Sequence, residues 1–255
     1  MLDADVIQQI CSDNDRTLRK KYQARLQNDL PSLQQNDRLL PYIKRDYPQG
    51  ADVIELGCGW GMVSYANLIL NPELFKDWTC YECDKSNVQI IQTIFAEMVS
   101  QGYKGLIPKV MHTSISNSRK KQQKFEMRVN KHSDQHTIVP EVYQPGKKHI
   151  EFCPNMHYNR LPSTDVVLID IEGQEEHLDY NKIDSHYYHV ETHSHDYTKK
   201  LTEQIQNSNN FKLLDVTLVS RYTSRINGQA IITFKKRSRD DNTIKFRNRV
   251  TRNTR

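Results

Sequence analysis

Asp170 and Glu172, two residues apart at the end of an apolar run, are well placed by type and spacing to move a proton. Val166 to Asp170 reads as a buried parallel strand that ends in acid. If strand geometry persists, both carboxylates share a face, and Gly173 then lets the chain turn away. Such a pair can orient or deprotonate a hydroxyl. Further on, His186, His189, Glu191, His193 and His195 crowd together. Read as strand, His189, Glu191, His193 and His195 fall on one side, which suits a zinc site or a solvated face alike. No metal is assigned from this pattern, although Asp170 at a strand end leaves a divalent ion open. His193 is read as a polar contact or proton acceptor near a substrate.

A second cluster must hold whatever those groups act on. Val53-Ile-Glu-Leu-Gly-Cys-Gly-Trp-Gly61 is a short apolar strand running into three alternate glycines and a helical stretch, Met62 to Leu70. Glycines there let backbone approach a ligand closely. The chain has nine glycines, so three in five residues mark a binding loop. A dinucleotide fingerprint is spaced G-x-G-x-x-G, whereas here the third glycine comes one residue early and Glu55 precedes the turn. S-adenosylmethionine fits this spacing better, because its ammonium and carboxylate suit bare backbone and an acidic strand end. The cofactor-binding set is Glu55, Gly57, Cys58, Gly59, Gly61, Glu82, Asp84, Ser114 and Asp170. Glu82 closes the strand Trp78 to Asp84 about twenty residues past the loop, where a carboxylate meets ribose hydroxyls; Asp84 is its understudy. Ser114, in the turn Thr113 to Asn117, falls at the adenine edge.

These stretches resemble one family. Ile169-Asp-Ile-Glu-Gly-Gln-Glu175 is similar to the Asp-Val-Glu-Gly-Ala-Glu signature of FkbM-type methyltransferases, within the class I superfamily. Tyr188-His-Val-Glu-Thr-His193 resembles that family's later strand with Glu and His, and Tyr81 to Asn87 its Glu-Pro-Asp segment. The resemblance runs from about Val53 to Phe234. It implies methyl transfer from S-adenosylmethionine to oxygen, usually on a sugar or small metabolite, with Asp170, Glu172 and His193 as catalytic candidates. Ile169 stands where the family has lysine, and Cys83 where it has proline. The implied fold is α/β and Rossmann-like: a mostly parallel seven-stranded sheet, helices on both faces and a C-terminal antiparallel strand.

The remaining elements follow from pattern. Ala4 to Leu30 and Leu33 to Tyr42 read as appended helices, covering a substrate mouth or forming a collar, so residues 1–50 are an N-terminal extension. The methyltransferase domain is 51–237. Asn87 to Val99 reads as helix and Leu106 to His112 as the third strand. Residues 119–162 carry one or two hairpins, with a Tyr143-Gln-Pro-Gly146 turn, inserted where a substrate site is shaped. Tyr197 to Ser208 reads as helix, then Phe211 to Val219 and Gln229 to Lys235 as a strand pair about the Asn227-Gly228 turn.

Charge and composition bound the partners. The net charge is +5, but nine basic residues against two acids lie from Lys235 onward, leaving a near-neutral body. Residues 238–255 are a basic tail, either a solubilising end or a grip on nucleic acid, so an RNA acceptor is the alternative. A cofactor-binding protein without catalysis is the third reading. No apolar run reaches the length of a membrane span, and five cysteines at irregular spacing suit reduced thiols in the cytoplasm. Cys80 and Cys83 are read as packing residues.

Overall fold

A computed structural model describes residues 37–128, 136–137, 148–218 and 230–238. Ala4 to Leu30, the Tyr143–Gly146 and Asn227–Gly228 turns and all but the first residue of the basic tail lie outside them.

Seven strands form the main sheet. They are β1 (Ala51–Leu56), β2 (Phe75–Glu82), β3 (Lys109–His112), β8 (Thr164–Ile169), β9 (Ser185–Thr192), β10 (Phe211–Leu218) and β11 (Ala230–Lys236). Their order is β10-β11-β9-β8-β1-β2-β3. β1 pairs in parallel with both β2 and β8, while β11 runs antiparallel between β9 and β10. This is the Rossmann-like arrangement expected from the sequence, and it places β1 and β8 side by side at the centre, where the strand order reverses. Ligands in open α/β sheets bind outside the carboxyl ends at that switch point.

Helices flank both faces. α1 (Leu40–Asp46), α2 (Met62–Leu70) and α3 (Lys85–Ser100) pack on one face, where Leu39, Ile43, Tyr65, Ile91 and Phe95 surround Trp78. Apolar residues of α3 recur at helical spacing, Val88, Ile91, Phe95 and Met98, so one stripe is buried. α4 (His195–Asn207) covers the other face with Tyr197, Leu201 and Ile205. Beneath it Tyr188 and Phe234 stack with ring centres 4.7 Å apart.

α1 begins at Leu40, inside the helix expected over Leu33 to Tyr42, whose residues before Asp37 lie outside the described ones, and it runs on to Asp46; Pro41 suits a helix's first turn. Its end touches the start of β9, where Tyr187 donates to Asp46 and Tyr47 meets His186 at 2.8 Å. That is the amino end of the strands, away from the switch point.

The insertion is a second sheet, where hairpins alone are expected. β4 (Ser114–Ser116), β5 (Gln122–Arg128), β6 (His136–Thr137) and β7 (Lys148–His157) lie in the order β4-β7-β5-β6. β5 pairs antiparallel with β7 and β6, as hairpins would, but β4 pairs with β7 in parallel. Between β8 and β9 the chain makes only two 3₁₀ turns, Gln174–His177 and Tyr180–Lys182.

Candidate active site

The glycine loop leaves β1 in left-handed conformations, with φ of 76° at Gly57, 52° at Gly59 and 71° at Gly61. A Cβ at Gly57 would lie 1.8 Å from the Asp170 carbonyl oxygen, so this glycine lets the ends of β1 and β8 touch. The Asp170 N–H also donates to the Leu56 carbonyl at 2.9 Å. A Cβ at Gly59 would meet no protein atom within 4 Å. Bare backbone there faces open space, as a ligand loop requires.

The expected cofactor residues divide into distinct positions. Glu82 is buried, and its carboxylate accepts the Gly59 N–H and the Asp84 N–H, each at 2.8 Å. It therefore ties β2 to the loop directly. Asp84 instead caps α3 by accepting the Ser86 N–H at 2.7 Å. Glu55 is 4% exposed and lies between Trp78, whose indole donates to it at 2.9 Å, and Cys80. Burial pushes its carboxyl up to about 7. Cys58 is buried under the loop, and burial raises its thiol likewise. Both side chains are turned inward. Ser114 is also turned inward: its hydroxyl donates to Asn155 Oδ1 at 3.0 Å and to the Pro154 carbonyl, bracing the insertion. Cys58, Cys80, Cys83 and Cys153 are free thiols.

The second group gathers at the end of β8. The strand stops at Ile169, and Glu172 has φ of 52°, the one non-glycine residue in the left-handed region among the described residues. Asp170 and Glu172 thus converge through a turn, not through strand alternation. Each has a carboxylate oxygen 3.4 Å from His193 Nε2. His193 lies just past β9 and is 14% exposed, while its Nδ1 is 2.9 Å from Glu175 Oε1. Glu175 is fully buried and also accepts the Gly173 N–H at 2.8 Å.

The histidine run does not share one face. His189 is buried against Thr233, and His195 opens α4. Only His193 of the run reaches the acids, with Glu191 beside it. Sequence reasoning left Glu175 and Glu191 out of the site, although both lie inside the two stretches that carry the family resemblance.

Electrostatics bind this group together. Burial works against a charged His193, but the Glu175 hydrogen bond and the fields of Asp170, Glu172 and Glu175 outweigh it and raise its pKa to about 10. Burial, then the neighbouring Glu191 and Glu172, push the Asp170 carboxyl well above its ordinary range. Glu191 rises for the same first reason. The Asp170 side chain is 39% exposed as a whole, yet its Oδ1 is shut off from solvent and accepts no hydrogen bond. Such perturbed acids at a switch point mark a site for proton chemistry.

No family model matches the sequence, and no curated protein matches it. Among solved structures, the Pyrococcus horikoshii protein PH1948 aligns with a TM-score of 0.46 and 13% identity, over 79% of this chain and 83% of that one. A precorrin-6y C5,15-methyltransferase from Geobacter metallireducens aligns at 0.41 and 11%, over 78% and 87%. M. jannaschii TYW2, solved with AdoMet, aligns at 0.40 and 10%, over 80% and 77%. Among the described residues no helix is long and apolar enough to cross a membrane.

Proposed function

We propose that the chain transfers a methyl group from S-adenosylmethionine to an acceptor hydroxyl. The observation that carries this reading is the contact between Gly57 and Asp170, which sets an open glycine loop beside the acid and histidine group. A sulfonium donor is itself activated, so the enzyme mainly holds donor and nucleophile at attack distance. Bare backbone at Gly59 receives the amino-acid end of the donor. Glu82, held at the loop by the Gly59 N–H, is placed at the end of β2 to meet ribose hydroxyls. Glu55 and Cys58 support the loop from below.

A hydroxyl is a poor nucleophile and calls for a base. Asp170 holds that role best, because burial and the neighbouring acids raise its pKa and it lies beside the glycine loop. Glu172 orients the acceptor, and His193, 3.4 Å from both carboxylates, lies between them. A sugar or small metabolite is the acceptor that the family resemblance favours.

One observation favours RNA as a second reading. The insertion carries Arg119, Lys120, Lys121 and Lys124, and the 65% exposed Phe152 pairs in register with Lys124. Exposed aromatic and basic side chains together suit single-stranded nucleic acid.

Calorimetry tests the core of the proposal. S-adenosylmethionine or its demethylated product should bind, and tight NAD binding with no response to either would sink it. Salt-sensitive RNA binding that disappears in Phe152→Ala would move the acceptor from metabolite to RNA.

A further inference from the structure

Asp170, Glu191 and His193 each offer one ligand atom, and the three atoms lie within 4.8 Å of one another. Ligands about 2.0–2.2 Å from a single ion spread over nearly that range, so a small inward movement closes the set.

Two observations independent of the spacing point to the same occupant. Asp170 Oδ1 is enclosed and accepts no hydrogen bond, and His193 Nε2, 3.4 Å from it, is the nitrogen with which it would share an ion. His193 commits Nδ1 to the fully buried Glu175, which turns Nε2 toward the acids. A carboxylate behind an imidazole is the usual means of fixing the tautomer and aim of a metal-binding histidine.

We infer that Asp170, Glu191 and His193 form a binding site for one divalent transition-metal ion, with Glu175 as its positioning residue. Two carboxylate oxygens and one imidazole nitrogen suit Mn²⁺ or Zn²⁺ better than an all-oxygen alkaline-earth site would. Three protein ligands leave coordination open to an outside oxygen. Binding of the ion stands on these residues alone. Its use, polarising an acceptor hydroxyl so that the proton leaves more readily, rests on the function proposed above.

The test uses the chelator-treated full-length chain, titrated with Mn²⁺ and followed by electron paramagnetic resonance, with Zn²⁺ calorimetry in parallel. Saturable binding of one ion per chain is expected, with imidazole nitrogen coupling in the Mn²⁺ spectrum. Asp170→Asn and Glu191→Gln should each remove saturable binding. Glu175→Gln should weaken affinity by about 10–100-fold with its melting temperature close to that of the parent. Absence of saturable binding by both ions, or lack of nitrogen coupling in the unaltered chain, overturns the site even if a variant fails to fold. S-adenosylmethionine binding measured on the same samples separates the two readings. Donor binding without metal binding defeats this inference alone, and metal binding without donor binding upholds it while defeating the methyl-transfer reading.

Discussion

His193 and Glu175 are locked together, with imidazole Nδ1 2.9 Å from a carboxylate oxygen that solvent does not reach. The other Glu175 oxygen holds the Gly173 N–H, so one side chain fixes both the histidine and the turn after β8. Glu175→Ala should cost about 1–3 kcal/mol in denaturant unfolding, since two buried donors lose their acceptor. Glu175→Gln, which keeps one acceptor oxygen, should recover most of that stability while turnover stays low. Equal stability of Ala and parent would deny Glu175 this role.

Gly57 and Gly59 should part company when each becomes alanine. At Gly57 the new Cβ meets the Asp170 carbonyl at 1.8 Å, so β1 and β8 must separate and folding should be lost or severely weakened. At Gly59 the Cβ meets nothing, and the fold should pay only the left-handed backbone cost of about 1–2 kcal/mol. Gly59→Val should nonetheless abolish S-adenosylmethionine binding. Thermal melts and calorimetry on both sites decide it; donor binding unchanged in Gly59→Val would refute the loop's role.

Glu82 and Asp84 should likewise separate. Glu82→Ala removes the acceptor for the Gly59 N–H and should weaken donor affinity by about 1–3 kcal/mol. Asp84→Ala loses a helix cap, costing about 1 kcal/mol of stability with little change in affinity. The reverse pattern in calorimetry would give the ribose role to Asp84.

Turnover should depend on the acids after β8. Asp170→Asn and Glu172→Gln keep size and polarity but remove a base, and each should lower the rate by about 10²–10⁴ while donor binding survives. Single-turnover kinetics on an identified acceptor would show this. Full activity in both variants would make the acids structural.

Glu55 predicts a pH dependence of stability. Its folded pKa of about 7 lies above the unfolded value of about 4.3. The neutral acid is therefore favoured in the folded chain, and its contribution is complete below the unfolded pKa and lost as pH rises through 7. Glu55→Gln should be more stable than the parent at pH 8 by up to about 3 kcal/mol, with the gap closing toward pH 4. Parallel melting curves across that range would refute the assignment.

Much of the main sheet is legible in the sequence because its signals are local. Val53 to Gly61 and Val166 to Gly173 join an apolar run to glycine and acid, although β8 stops at Ile169, one residue before the acid expected to end it. Other features depend on contacts that no window of residues contains. The parallel pairing of β4 with β7 is set by Ser114, Ser116 and Asn155, whose side chains meet across about forty residues of chain. The shared face assigned to the histidines fails because β9 stops at Thr192, where Ser194 caps α4 through the Tyr197 N–H. Ser194 is a ready capping type, so that boundary was readable. Glu175 is visible in the sequence as the last residue of a motif, but its burial beneath His193 arises only when the turn after β8 folds against the end of β9.

The second sheet divides the molecule in a way that bears on how such a chain diversifies. Asn155 gathers Ser114, Ser116, Ser118 and Lys120 into one hydrogen-bond set, while the Glu82 carboxylate joins Gly59 and Asp84 in another. Exchange of residues across β5 to β7 can alter what approaches the site without redrawing the loop that holds its ligand. The close approach that fixes the loop, Gly57 against the Asp170 carbonyl, belongs to the main sheet alone, so the second sheet contributes no backbone to it.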